Sequence, residues 1–249
     1  MLERKVVAVT GAGSGIGRAV ALLAAQYGVG GVVLADLNSH TLAETTSRLS
    51  GLGVKVETIV ANVAESRTGD LIVERAVERF GRLDAAVNAA GITGVQKEFV
   101  DISDEEFDDV FAVNLRGVFR CMRAQLRHMY TQEAGSIVNV SSASLYGMHA
   151  EVGPYITSKS GVLAMSRVAA KEAGRHGVRV NTVCPGITDT SMSRQSAADN
   201  PAVSAIAARI PLGRTGDPAE IAEGILWLCS DRSSFTNGAS LVIDGGRSG

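Results

Sequence analysis

Tyr155 and Lys159 stand four residues apart in Y-I-T-S-K, and Ser142 lies thirteen positions upstream of the tyrosine, closing the apolar run I-V-N-V-S-S. On a helix, positions i and i+4 share a face, so the Lys159 ammonium can lie beside the Tyr155 phenol and favour its ionised form. An unperturbed tyrosine, with a pKa of about 10, is a poor base at neutral pH. A neighbouring cation removes that handicap. Such pairs also arise by chance on solvated helices, so the assignment needs a second signal.

That signal lies near the N-terminus. K-V-V-A-V-T has the β-branched composition of a buried parallel strand and breaks into G-A-G-S-G-I-G before the helical A-V-A-L-L-A-A-Q. A strand, glycine turn and helix in this order can bind phosphate, because backbone N–H groups approach the anion and the helix dipole favours it. The dinucleotide spacing G-x-G-x-x-G does not fit. Gly11, Gly15 and Gly17 follow G-x-x-x-G-x-G instead. Without a ligand the same run would be an ordinary tight connection.

A second apolar run, G-G-V-V-L-A-D, ends at Asp36, about 20 residues beyond the turn, where a ribose-binding acid belongs. A carboxylate there accepts from the adenosine 2′- and 3′-hydroxyls and repels a 2′-phosphate, which favours NAD over NADP. Ser14 and Leu37 bring no positive charge to meet such a phosphate. Arg18 is the nearest cation, and its helical position points it to solvent or to the dinucleotide's outer edge.

The elements that must position these groups are legible as alternation. Strand runs fall at 5–10, 31–35, 54–60, 84–88, 136–141, 178–183 and 240–243, with amphipathic helices between them, such as Asp70 to Gly81. This pattern predicts an α/β fold, a single-domain doubly wound, Rossmann-like parallel sheet spanning 1–249 with helices on both faces. Ligands bind beyond the carboxyl ends of such strands. Asn62 and Val63, N-A-A-G at 88 to 91, Ser142, and C-P-G at 184 to 186 all follow strands and would gather with Asp36 around one crevice.

With 249 residues, 24 Lys plus Arg and 26 Asp plus Glu, the chain carries a net charge of −2 and no basic block, arguing against nucleic-acid or membrane partners. The first strand starts too early to leave room for a signal peptide, and no apolar run approaches the ~18 residues of a membrane span, so a soluble, cytoplasmic protein is expected. Cys121, Cys184 and Cys229 lack metal-ligand spacing and read as reduced, mostly buried thiols. His40, His128, His149 and His176 form no zinc-type pair, so no metal is expected.

Together these motifs resemble the short-chain dehydrogenase/reductase family, in its compact single-domain branch, over essentially the full length. T-G-A-G-S-G-I-G, N-A-A-G, Asn114 in F-A-V-N-L, Ser142, Y-I-T-S-K, N-T-V-C-P-G and the terminal I-D-G-G occur in family order. The resemblance implies a catalytic tetrad of Asn114, Ser142, Tyr155 and Lys159. Tyr155 would be general base in oxidation and general acid in reduction, while hydride moves between substrate carbon and nicotinamide. Ser142 would hold the substrate oxygen, and Lys159 would lower the phenol pKa and bond the nicotinamide ribose. Asn114, in a helix spanning roughly 104 to 129, would hold a water linking Lys159 to solvent; a helix kink or a core-polar role is the plainer reading.

The resemblance also implies a cofactor path. Gly11, Ser14 and Ile16 would meet the pyrophosphate, Asp36 and Leu37 the adenosine, and Asn62 and Val63 the adenine; Gly15, Gly17, Asn88, Ala89 and Gly91, with Tyr155 and Lys159, would also contact the cofactor. Asn62 stands where many relatives have aspartate, and its amide oxygen can still accept from adenine. Ala89 replaces a second asparagine and removes a brace. Pro185, Gly186, Thr188 and Thr190 would meet the nicotinamide end. A substrate lid is expected at about 188–210.

For substrate, Ser142, Ser144, His149 and Tyr155 are the candidate contacts, with Leu145, Tyr146, Met148 and Met192 as apolar walls. The expected function is NAD(H)-dependent interconversion of a secondary alcohol and a ketone. An NADPH-dependent 3-oxoacyl thioester reductase and a non-catalytic NAD-binding scaffold are the alternatives. The resemblance implies a homotetramer, a dimer of dimers built on helices around 104 to 129 and 155 to 174 and on the C-terminal strand.

Overall fold

Seven β-branched runs become seven parallel strands: β1 (Val6–Thr10), β2 (Gly31–Asp36), β3 (Lys55–Val60), β4 (Ala85–Asn88), β5 (Gly135–Val140), β6 (Val178–Pro185) and β7 (Ser240–Ile243). The structure is a computed structural model and describes residues 1–199 and 209–248. The strands form one sheet in the order β3-β2-β1-β4-β5-β6-β7. β1 is flanked by β2 and β4, so the chain reverses its direction of travel across the sheet between β1 and β4. The connections leaving these two strands diverge at that point and open a crevice.

Alternate residues on each strand face opposite sides. Val7 and Val9 enter one core with α1 (Gly15–Gln26), α2 (Ser39–Ser50) and α9 (Pro218–Cys229), whereas Ala8 enters the other with α3 (Thr68–Phe80), α5 (Val118–Gln132) and α7 (Gly153–Ala173). The remaining helices are α4 (Asp104–Phe111), α6 (Ser144–Gly147) and α8 (Ser191–Asp199). Pro154 occupies the first turn of α7, where its missing N–H costs no hydrogen bond.

The single helix expected over 104 to 129 is divided. A π-helical segment, Ala112–Gly117, separates α4 from α5 and carries the buried Asn114. The apolar spacing continues on both sides of the widened turn, which is why the sequence reads as one helix. The expected lid also begins differently. Thr188 is buried and bridges to Gly216, with Asp189 N donating to Gly216 O at 2.8 Å and Gly216 N to Ile187 O at 2.9 Å. Helix α8 follows, and the part of the expected lid at 200–208 lies outside the described residues.

Candidate active site

The crevice at the strand ends has a volume of about 690 Å³ and runs from Asp36 and Leu37 at one end to Ser142, Tyr155 and His149 at the other. Its first wall is the start of α1. Ser14 makes no capping side-chain bond there and no acidic residue stands in the first turn, so the leading amides and the positive helix end are left for an external anion. Gly17 permits the close approach of helix to strand: a Cβ at that position would lie 2.1 Å from Gly11 O.

Asp36, ending β2, is fixed by two backbone donors. Its Oδ2 accepts from Gly13 N at 2.8 Å and its Oδ1 from Asn38 N at 2.9 Å. The expectation for Arg18 is corrected. Its guanidinium folds beneath the glycine turn, donating to Gly13 O, to Thr41 O at 3.1 Å, to Thr45 Oγ1 at 2.9 Å and to Glu44 at 2.8 Å. The acid on α2 draws it away from solvent and from the crevice, and the cation is spent bracing the turn.

At the far end, Ser142 leaves β5 and Tyr155 and Lys159 project from α7 into the same crevice. Lys159 is 4 % exposed, and its Nζ donates to Val140 O at 2.9 Å while lying 5.9 Å from the Tyr155 ring centre. Burial lowers its pKa to about 8. The expected depression of the phenol pKa is not what the geometry gives. Burial pushes Tyr155 up, outweighing the hydrogen bond with Ser142 that pulls it down, and Cys184 adds to the rise; the Lys159 ammonium is bonded to the Val140 carbonyl.

Asn114 does not line the crevice. Its Oδ1 accepts from Ile92 N at 2.8 Å, and its Nδ2 donates to Ile92 O at 2.8 Å and Ser158 Oγ at 3.2 Å, tying the π-helical turn to the loop after β4 and to α7. It still packs close to Lys159: a Cβ on Gly91 would sit 3.1 Å from Asn114 Oδ1 and 3.3 Å from Lys159 Nζ. Asn88 is also displaced from its expected place. Its side chain points away from the crevice into a buried amide cluster, exchanging bonds with Gln125 at 3.0 and 2.9 Å and donating to Asn139 at 2.8 Å.

The brace missing at Ala89 is supplied by Thr10, whose hydroxyl accepts from the Ala89 and Ala90 amides at 3.2 and 3.3 Å. Asn62 Oδ1 accepts from Ala64 N at 2.9 Å, which leaves one lone pair towards the crevice. The other expected cofactor residues, from Gly11 to Thr190, all line it.

The substrate end departs more from expectation. Ser144, His149 and Met192 line the crevice, but Leu145 is buried elsewhere and Tyr146 and Met148 face outward. Arg247 lines it instead, with its Nη2 against His149 Nε2. Burial and this guanidinium lower the His149 pKa. Nothing in local spacing marks Arg247, which reaches the site only because the chain end folds back. Among the described residues, no cluster of three metal-ligating side chains occurs and no helix is long and apolar enough to cross a membrane.

Residues 11–248 match the family model described as enoyl-(acyl carrier protein) reductase. The chain is 41 % identical over 246 residues to the 3-oxoacyl-[acyl-carrier-protein] reductase of Thermotoga maritima, covering 98 % of each chain. Among solved structures, levodione reductase superposes with a TM-score of 0.94 at 34 % identity, covering 100 % of this chain and 99 % of that one. An NAD+-bound xylitol dehydrogenase gives 0.92 at 31 % identity, covering 98 % and 99 %. The chain belongs to the short-chain dehydrogenase/reductase family. It is an NAD(P)-dependent oxidoreductase of the alcohol dehydrogenase and ketone reductase type.

Proposed function

We propose that this enzyme interconverts a secondary alcohol and a ketone with NAD(H), using Tyr155 as general acid and base. The observation that carries the reading is the convergence of Ser142, Tyr155 and Lys159 at one end of a crevice whose other end presents Asp36. The residues present suit a dinucleotide: uncapped amides at the start of α1 for the pyrophosphate, and a fixed carboxylate for the ribose. When bound, the nicotinamide supplies the hydride acceptor or donor.

In oxidation Tyr155 takes the hydroxyl proton and in reduction it returns it, while Ser142 donates to the substrate oxygen and stabilises its developing charge. Lys159, protonated below about pH 8, keeps a positive charge beside the site and is a donor for the nicotinamide ribose. Asn114 holds the loop after β4 and α7 in register and so positions Lys159. Cofactor choice follows from charge. Asp36 opposes a 2′-phosphate, and Arg18, paired with Glu44, is not available to receive one.

A 3-oxoacyl thioester is the second substrate reading, favoured by the Thermotoga maritima relative; its NADPH-dependent form conflicts with Asp36. We also propose a homotetramer, supported by an apolar groove between α5 and α7 that includes Phe119, Met122, Leu126, Met165 and Val168. The decisive variant for the mechanism is Tyr155→Phe. It should lower kcat by at least about 100-fold, the scale of lost acid–base catalysis, with NADH affinity near wild type. Unchanged turnover would remove Tyr155 from the chemistry.

A further inference from the structure

We propose that Arg247 receives a carboxylate of the substrate, at the end remote from the reacting carbonyl, so that this enzyme acts on oxo or hydroxy acids. The inference rests on the oxidoreductase reading and specifies its substrate.

Arg247 belongs to the C-terminal tail, yet it shares the crevice with Ser142 and Tyr155. A turn is built to bring it there. Asp244, just past β7, accepts from Gly246 N at 2.9 Å, Ser248 N at 2.8 Å and Ser248 Oγ at 2.5 Å. Gly245 and Gly246 take φ values of 68° and 86°, a conformation that side chains rarely adopt, and fold the tail back over the strand ends. With those bonds made, the Asp244 carboxylate is largely occupied by the turn; it still favours the charged guanidinium of Arg247, but Arg247 forms no ion pair among the described residues.

The guanidinium is half-buried and its Nη2 lies against the ring of His149. An imidazole Nε2 that accepts from arginine is neutral, so it orients the fork without satisfying its charge. A partly buried guanidinium with no carboxylate partner among the described residues suits a carboxylate better than a hydroxyl or an apolar group.

The wall opposite the tail is strained around the same contact. Met148 and Glu151, flanking His149, are non-glycine residues at φ 45° and 67°, and Lys97 N holds the loop by donating to Glu151 O at 3.0 Å. Left-handed backbone at such residues is costly and clusters at ligand sites. Gly147 completes the fit: a Cβ there would lie 2.8 Å from His149 Nε2 and 3.6 Å from Arg247 Nη2. Glu151 also lines the crevice and bears the opposite charge, so the test must include a cationic substrate.

The experiment measures NADH-dependent reduction of acetoacetate, levulinate and longer homologous oxo acids, each beside its methyl ester and choline ester, by wild type, Arg247→Ala and Arg247→Lys. For at least one chain length the wild type should prefer the acid to its methyl ester by about 30-fold in kcat/KM, the scale of a charge-assisted contact. Arg247→Ala should bring that ratio close to one, and Arg247→Lys should restore part of it. The proposal is overturned if esters match or exceed acids throughout, if choline esters are preferred, if acids are refused while uncharged ketones react, or if the ratio survives Arg247→Ala. Failure of every ketone, charged or not, would instead overturn the oxidoreductase reading on which the proposal stands.

Discussion

Lys159 is a buried ammonium whose folded pKa, about 8, lies below the usual 10.5. Between those values the unfolded chain binds more protons than the folded one, so the contribution of this group to stability rises as pH rises through the window. Below pH 8 the burial penalty is fully present, offset in part by the bond to Val140 O and by the nearby Cys184. Replacing Lys159 by Met removes the titration. The stability difference between wild type and Lys159→Met, followed by urea unfolding, should shift in favour of wild type from pH 8 to 10; a pH-independent difference would contradict the lowered pKa. Tyr155, Lys159 and Ser142 are legible in the sequence because helical spacing and a strand end fix them locally. Arg18 and Arg247 are not, since each is placed by partners far along the chain: Arg18 by Thr45 and Glu44, Arg247 by a turn that Asp244 closes.

The strands lie within about two residues of their sequence-derived runs because β-branched composition and Gly or Pro breaks are local signals. Two features beneath the site escape such reading. The π-helical turn at Ala112–Gly117 interrupts no apolar pattern, and the amide cluster under β4 and β5 joins residues scattered from Asn88 to Ser166. In that cluster Asn139 accepts from Asn88 at 2.8 Å and donates to Ser166 Oγ at 2.8 Å, binding two strands to α7, which carries Tyr155 and Lys159. Asn139→Ala strands buried partners on both sides. It should cost about 1–3 kcal/mol, read as a lowered urea midpoint, and an unchanged midpoint would show that the cluster rearranges freely. Asn88, expected at the cofactor, acts here instead.

Across the whole molecule, the reversal of strand order between β1 and β4 opens the crevice, and in the proposed reading one end of it takes adenosine and the other the reacting carbon. The alternation of strands and helices made that arrangement legible, together with the family resemblance. The outer surface was less so, since an apolar helix face reads the same whether it packs in a core or against another copy. Phe119 is 42 % exposed and Val168 58 %, on α5 and α7, and Phe235 is fully exposed near β7. Burial of these residues between copies predicts a tetramer by sedimentation velocity, and a monomer at micromolar concentration would contradict it. The central claim is hydride transfer with NAD(H). Its most direct test is oxidation of NADH, with NADPH in parallel, across a panel of ketones and oxo acids. The account predicts turnover with NADH well above that with NADPH. NADH binding without turnover of any carbonyl compound would contradict it and leave a non-catalytic dinucleotide-binding protein.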